Sequence, residues 1–299
     1  MTLHEDEVPT NERIIRTLLY AQRPDLAGLA IAHVGGGTDN TMYRLGEAYL
    51  VRLPRTREKA AALEKELTWL PRLGPRLPFA IPQSLHAGRP DPLYPLPWAI
   101  YTWIDGEDLA DRTVNDWERY GSDLAAFVAC LHSTDLMGAT RSDGLSGYRG
   151  GLLQPKDEWI TSCFAKARSH GAELDFNVLE RLWREAQSLP EPSAAHVWLH
   201  SDLRPANVLV REGRLHAVID FGGLTVGFPD AEHAVTWDLP AAARDAYRNT
   251  LDVDDLTWLR ARAWAIAVGI SGVSYYWNTF PSFLTECMHR LRAIAAEAR

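Results

Sequence analysis

The sequence predicts an α+β chain in two parts: a small N-terminal antiparallel sheet with one helix, then a larger, mainly helical C-terminal part. Three observations carry this. The first hundred residues run as short apolar segments broken by Gly and Pro clusters, the pattern of strands and turns. After Gly106 the apolar residues recur at helical spacing for most of the chain. One β-rich island, VWLHSDLRPANVLVREGRLHAVIDFGGL at 197–224, interrupts the helices. A length of 299 residues is two domains' worth or one bilobed unit. The division is placed after residue 105, giving an N-terminal lobe over 1–105 and a helical C-terminal lobe over 106–299.

The first helix is NERIIRTLLYAQ at 11–22, which puts Ile14, Ile15, Leu18 and Leu19 on one face behind Asn11 as its cap. GLAIAHV, TMYRLGEA and YLVRLPR are strands, separated by GGGTDN and by Gly46-Glu47. Residues 57–73 form a helix with Leu63, Leu67 and Leu70 facing inward. Two further strands, in PFAIPQSLHAG and WAIYTWIDG, flank a Pro-rich turn at 90–97. In the second part, Trp117, Leu124, Phe127, Val128 and Leu131 mark a helix over 114–133, and 141–155 is loop. Helices follow at 156–169, 175–188, 240–250, 253–276 and 281–298.

Composition narrows the function. Apolar residues at 46% and charged residues at 23% exclude a disordered or fibrous chain. The net charge of −8 opposes nucleic acid or anionic membrane as a partner and suits a cationic small molecule or a metal-bound anion. Cys130, Cys163 and Cys287 match no metal-ligand spacing and fit a reducing compartment. With no signal-peptide pattern and no run of 18 apolar residues, a soluble, cytoplasmic monomer is the expectation.

The island holds the chemistry. Its His200-Ser201-Asp202-Leu203-Arg204-Pro205-Ala206-Asn207 places an Asp and an Asn five apart on a loop between β segments, and Asp220-Phe221-Gly222 follows an apolar strand. Phosphoryl transfer from a nucleotide needs one carboxylate to orient the acceptor hydroxyl and take its proton, and two oxygen ligands to hold Mg²⁺. Asp202 fits the base, and Asn207 and Asp220 fit the metal ligands. The segment NVLV–REGR–LHAVID reads as a hairpin that returns Asp220 towards Asn207. The competing reading is a turn built by Asp202 and Asn207 with Asp220 closing a strand. Upstream, Gly35, Gly36, Gly37 and Thr38 join two strands, either as an ordinary hairpin turn or as a loop whose amides approach phosphates. Arg52, mid-strand among apolar neighbours, can pair with Glu66 on the next helix and grip phosphates, or can lie half-exposed beside a solvated helix.

Taken together these motifs, from Gly35 to Trp277, resemble the aminoglycoside phosphotransferase family, bacterial antibiotic kinases with a protein-kinase-like fold. The resemblance implies ATP or GTP as donor, Mg²⁺ as cofactor, and a hydroxyl of an aminoglycoside-like antibiotic as acceptor. It implies a hinge in WAIYTWIDGE, where Thr102 and Ile104 offer backbone groups to the nucleotide base and Tyr101 sits behind it. LEKELTWLPRL resembles the family's ion-pair helix and favours Glu66 over Glu64. The acceptor site is expected among Asp157, Glu158, Trp159, Glu232 and Trp277, the last in VSYYWNTFP, because carboxylates and aromatic walls suit a polyamine sugar. A macrolide, a peptide antibiotic or an amino-alcohol metabolite stays open as acceptor, as does a nucleotide-binding pseudokinase without turnover. Three departures stand out: Arg52 in place of the usual Lys, Gly223 after DFG, and Gly227-Phe228-Pro229-Asp230-Ala231-Glu232-His233-Ala234 where relatives read G-D-P-x-x-D-L-A. The last puts a brace under the catalytic loop in doubt.

Overall fold

Alternating apolar and polar residues in the first hundred positions build a five-stranded antiparallel sheet in the computed structural model, which describes residues 6–37 and 39–298. The strands are β1 (Ile31–Gly35), β2 (Asn40–Leu45), β3 (Tyr49–Pro54), β4 (Ser84–Gly88) and β5 (Trp98–Thr102), in the order β1-β2-β3-β5-β4. Helix α1 (Glu12–Gln22) starts at Asn11, whose side chain accepts the Ile14 N–H. Helix α2 (Arg57–Leu73) starts at Thr56 in the same way, with the Lys59 N–H as donor. Because side chains alternate along a strand, the two faces of the sheet bury different sets. Val51, Leu53 and Ile100 pack with Ile15, Leu18 and Leu19 of α1. On the other face Ala99 and Tyr101 pack with Leu63 and Leu67 of α2.

The chain packs as two units, and the division is not a single cut. The first runs to Gly106 and also takes in Ala217–Gly223. That later segment joins it because the Val218 N–H donates to the Ala80 carbonyl at 3.0 Å, and the 3-10 turn Phe221–Gly223 packs on α2. Asp220 therefore belongs with the sheet of the first unit, although the sequence places it in a C-terminal lobe.

The second unit takes in Glu107–His216 and the chain from Leu224 onward. Its helices are α3 (Trp117–Ser133), α4 (Asp157–Ser169), α5 (Phe176–Gln187), α6 (Ala241–Leu251), α7 (Asp255–Tyr276) and α8 (Pro281–Glu297). Helix α7 is apolar round its circumference, which is why it is the buried centre, contacted by α4, α5 and α8. Short strands frame the island: β6 (Glu107–Asp108) pairs with β8 (Val208–Arg211), β9 (Arg214–Val218) follows β8, and β7 (Val197–Leu199) pairs with β10 (Thr225–Gly227). Between β10 and α6 lies a ten-residue 3-10 segment, Pro229–Asp238, that no sequence pattern marks. Its residues from Asp230 to Trp237 are all buried, so it has no exposed face and no periodicity to read. Two ion pairs fasten it: Arg260 Nε to Asp230 Oδ1 and Arg290 Nε to Asp238 Oδ1, both 2.8 Å. Among the described residues no helix is long and apolar enough to cross a membrane.

Candidate active site

In the first unit, three charged side chains meet on α2, β3 and the 3-10 turn. Arg52 is 6% exposed, and its Nη1 donates to Glu66 Oε2 at 2.6 Å. The pairing of Arg52 with Glu66 expected from sequence is formed. Its Nη2 donates to Asp220 Oδ1 at 2.8 Å, a second partner the sequence does not reveal. The Tyr101 hydroxyl donates to the same Glu66 Oε2 at 3.1 Å, so Tyr101 is a buried support of the ion pair. Burial pushes the Glu66 carboxyl up, against the pull of Arg52. Asp220 sits at φ 61°, a left-handed backbone that a non-glycine residue adopts at a cost and that re-aims its side chain.

The glycine loop is shaped by contact as well as by freedom. Gly35 has φ 103°, and a Cβ on Gly36 would lie 2.3 Å from the Asn40 carbonyl. Gly37 offers its carbonyl to Arg55 Nε at 3.0 Å, and Thr38 lies outside the described residues. At the hinge, the Thr102 N–H already donates to the Gln83 carbonyl at 3.0 Å, so Thr102 cannot offer that group to a base without losing a sheet bond. Ile104 follows β5 in irregular chain and makes no backbone hydrogen bond among the described residues, which leaves both its groups for a ligand.

In the second unit, the catalytic-type loop leaves β7 at His200. Ser201 is left-handed at φ 66°, and His200 Nδ1 accepts the Asp202 N–H at 3.2 Å, so His200 supports the loop. The 3-10 turn Pro205–Asn207 brings Asn207 back under Asp202, where its Nδ2 donates to Asp202 Oδ2 at 3.0 Å and to the Asp202 carbonyl at 2.8 Å. The other carboxylate oxygen, Oδ1, accepts from Arg149 Nη1 at 2.5 Å. Arg149 also bonds the Ser201 carbonyl, and its Nε donates to the Tyr148 hydroxyl at 2.8 Å. Burial alone would push the Asp202 carboxyl up, but Arg149, with Arg204 and His200, holds it below its ordinary value. Arg149 is the main residue sequence reasoning missed. It lies in a Gly-rich loop with no periodicity, and nothing in its spacing points at Asp202.

Glu232, expected in the acceptor site, supports the loop that carries Asp202. It is 2% exposed and turned under the loop, where Oε1 accepts the His200 N–H at 2.7 Å and Oε2 the Ser201 N–H at 2.9 Å. It braces the loop from beneath, and the brace the sequence put in doubt is present with one extra methylene. Phe228 takes no part in it and packs edge-on against His196 at 4.6 Å. The other expected acceptor residues separate. Asp157 accepts from the Trp183 indole at 2.8 Å, and Glu158 is exposed. Trp159 meets Tyr148 edge to face at 5.5 Å, which links it through Arg149 to Asp202. Trp277 instead stacks on His170, just past the far end of α4, and a helix of thirteen residues spans about 20 Å. Trp277 and Trp159 therefore do not share one wall.

Each unit keeps an oxygen of the kind a hard cation takes. Asn207 spends its amide nitrogen on Asp202, which leaves Oδ1 as a ligand atom, and Asp220 keeps Oδ2. Among the described residues no group of three His, Cys, Asp or Glu could hold a metal alone, so phosphate oxygens or water would have to complete the shell.

The family model described as "Phosphotransferase enzyme family" matches residues 30–264. No curated protein matches the chain. Among solved structures, the GDP complex of wild-type aminoglycoside 2'-phosphotransferase-IIIa is similar at TM-score 0.75 and 18% identity, covering 96% of this chain and 99% of that one. The macrolide 2'-phosphotransferase MphH from Brachybacterium faecium is similar at TM-score 0.60 and 19% identity, covering 95% and 98%. A type I macrolide 2'-phosphotransferase gives 0.66 and 17%, covering 95% and 98%. These likenesses confirm the α+β kinase-type fold expected from sequence.

Proposed function

The chain belongs to the phosphotransferase enzyme family, and from that premise we propose that it moves the γ-phosphoryl group of ATP or GTP to a hydroxyl of a small molecule. One observation carries the proposal: Asp202 is held at both carboxylate oxygens, by Asn207 and by Arg149, on a loop braced from beneath. A base in phosphoryl transfer need only orient the hydroxyl and receive its proton late, because the transition state is loose. A carboxylate held ionised and fixed in direction meets that need. By the family resemblance Asn207 and Asp220 are the residues that would hold Mg²⁺, which when bound would neutralise charge on the phosphoryl group.

Aminoglycosides and macrolides, the substrates named for the similar structures, are the acceptors to test first. Between them, one observation favours the acceptor with less positive charge. Arg149 stands beside Asp202, while the acids nearby are engaged: Glu232 by the loop, Glu286 by Arg204 at 2.7 Å and Asp238 by Arg290. Consumption of ATP and of GTP with Mg²⁺ should rise when one member of a panel of aminoglycosides, macrolides, peptide antibiotics and amino alcohols is added. If no hydroxylated compound raises it above the acceptor-free rate, the antibiotic acceptor is wrong.

Arg149 makes a pH prediction. Arg149→Gln removes the main charge that opposes burial, so the Asp202 carboxyl rises from its depressed value. The ionised base is then lost as pH falls through that raised value, and the acid limb of kcat/KM moves to higher pH. An acid limb in the same place as wild type would remove Arg149 from the site.

A further inference from the structure

Arg52 stands where the family resemblance implies a phosphate-binding lysine, yet its donors are spent on protein. Nη1 is on Glu66 and one Nη2 N–H is on Asp220. The Asn40 amide, in the orientation that satisfies its neighbours, places its oxygen 3.0 Å from Arg52 Nη2 and 3.1 Å from Nε. Four of the five N–H groups of the guanidinium are thereby committed. The fork is planar and its donors point in fixed directions, so a phosphate oxygen could be taken only by releasing Asn40 or Asp220. A lysine, with three donors on one rotating ammonium, has no such constraint. Arg52 and Asn40 are also nearly enclosed, at 6% and 5% exposure, whereas the Asp220 side chain is 45% exposed. What this network presents to a ligand is the Asp220 carboxylate and not the guanidinium.

We propose that Arg52 and Asn40 are positioning residues for Asp220 and not phosphate ligands. Asn40 fixes the plane of the guanidinium from β2, and Glu66 fixes it from α2. Arg52 in turn holds Asp220 Oδ1, which leaves Oδ2 for the divalent cation and offsets the cost of the left-handed backbone at Asp220. Asn40 closes the glycine loop, whose carbonyl at Asn40 is the group that demands glycine at position 36, so loop and carboxylate share one anchor. This rests on the reading of Asp220 as a cation ligand. It assigns Arg52 to the metal side of the site and gives Asn40 a role that its place in GGGTDN does not suggest.

The test is nucleotide affinity with and without metal, by calorimetric titration of ADP and of GDP in Mg²⁺ buffer and in EDTA. Wild type, Asn40→Ala and Arg52→Gln are compared, each first checked for a cooperative melt. The expected result is a metal-free affinity within about threefold of wild type for both variants, with the gain on adding Mg²⁺ reduced by about tenfold or more. A merely structural role would lower both affinities together. Arg52→Gln losing about tenfold in EDTA, whether through a lost phosphate contact or a disturbed frame, would overturn the proposal. If Arg52→Gln does not fold, Asn40→Ala decides alone, since an unchanged Mg²⁺ gain in that variant also overturns it. A wild type that binds neither nucleotide in either buffer sinks the phosphotransferase reading itself, a different result from either of these.

Discussion

Asp202→Asn lowers turnover by about 10²–10⁴-fold, the range over which a positioned general base contributes, and leaves nucleotide affinity near wild type. The asparagine is nearly isosteric and still accepts one hydrogen bond, from Asn207 or from Arg149, so the loop keeps most of its frame. What it loses is the charge that orients the acceptor hydroxyl and the lone pair that takes its proton. Binding of ADP, measured by titration, separates this from misfolding. Turnover within about threefold of wild type would remove Asp202 from the reaction, since a base of this kind is worth far more.

Glu232→Ala has the second largest expected effect, on stability as well as on rate. Two buried backbone N–H groups, of His200 and Ser201, lose the carboxylate that accepts them, at up to about 1–3 kcal/mol each, so a loss of up to about 2–6 kcal/mol is expected in urea denaturation. The loop that carries Asp202 then loses its floor, and kcat falls even where the variant remains folded. A separate pH signature tests the same residue. Burial pushes the Glu232 carboxyl up to about 7, against the pull of the two N–H groups, while in the unfolded chain it titrates near 4.5. Between those values the folded protein holds a proton that the unfolded chain has released, so the residue's contribution to stability falls as pH rises. Glu232→Gln does not titrate. The stability advantage of wild type over Glu232→Gln should therefore narrow from about pH 4.5 to about pH 7 and then level off. An advantage that widens over this window would show the carboxyl to be depressed.

Much of the fold was legible because its elements have one wet face and one dry face. The range 57–73 read from Leu63, Leu67 and Leu70 coincides with α2, and α7 was visible from its length of apolar residues. Asp202, Asn207 and Asp220 were legible from their spacing on a short island, and Glu66 from the resemblance of LEKELTWLPRL to the family's ion-pair helix. What escaped the sequence were partnerships made across long separations. Arg149 reaches Asp202 over 53 positions from a loop, and Arg52 reaches Asp220 over 168. The bracing bonds of Glu232 escaped for a related reason. An acid near an aromatic-rich helical half looks like a pocket wall until the buried 3-10 segment that carries it is seen to run beneath the loop. The stack of Trp277 on His170 escaped because it leaves no mark in either local pattern.

The central claim is that this chain transfers phosphate to a hydroxyl with Asp202 as the base. The most direct measurement follows the reaction by phosphorus NMR, with Mg²⁺, ATP or GTP, and whichever acceptor of the panel stimulates consumption. The γ-phosphate resonance should decline as a phosphomonoester resonance grows in equal amount, in wild type and not in Asp202→Asn. Inorganic phosphate as the only product, or a phosphomonoester formed equally fast by Asp202→Asn, would contradict it.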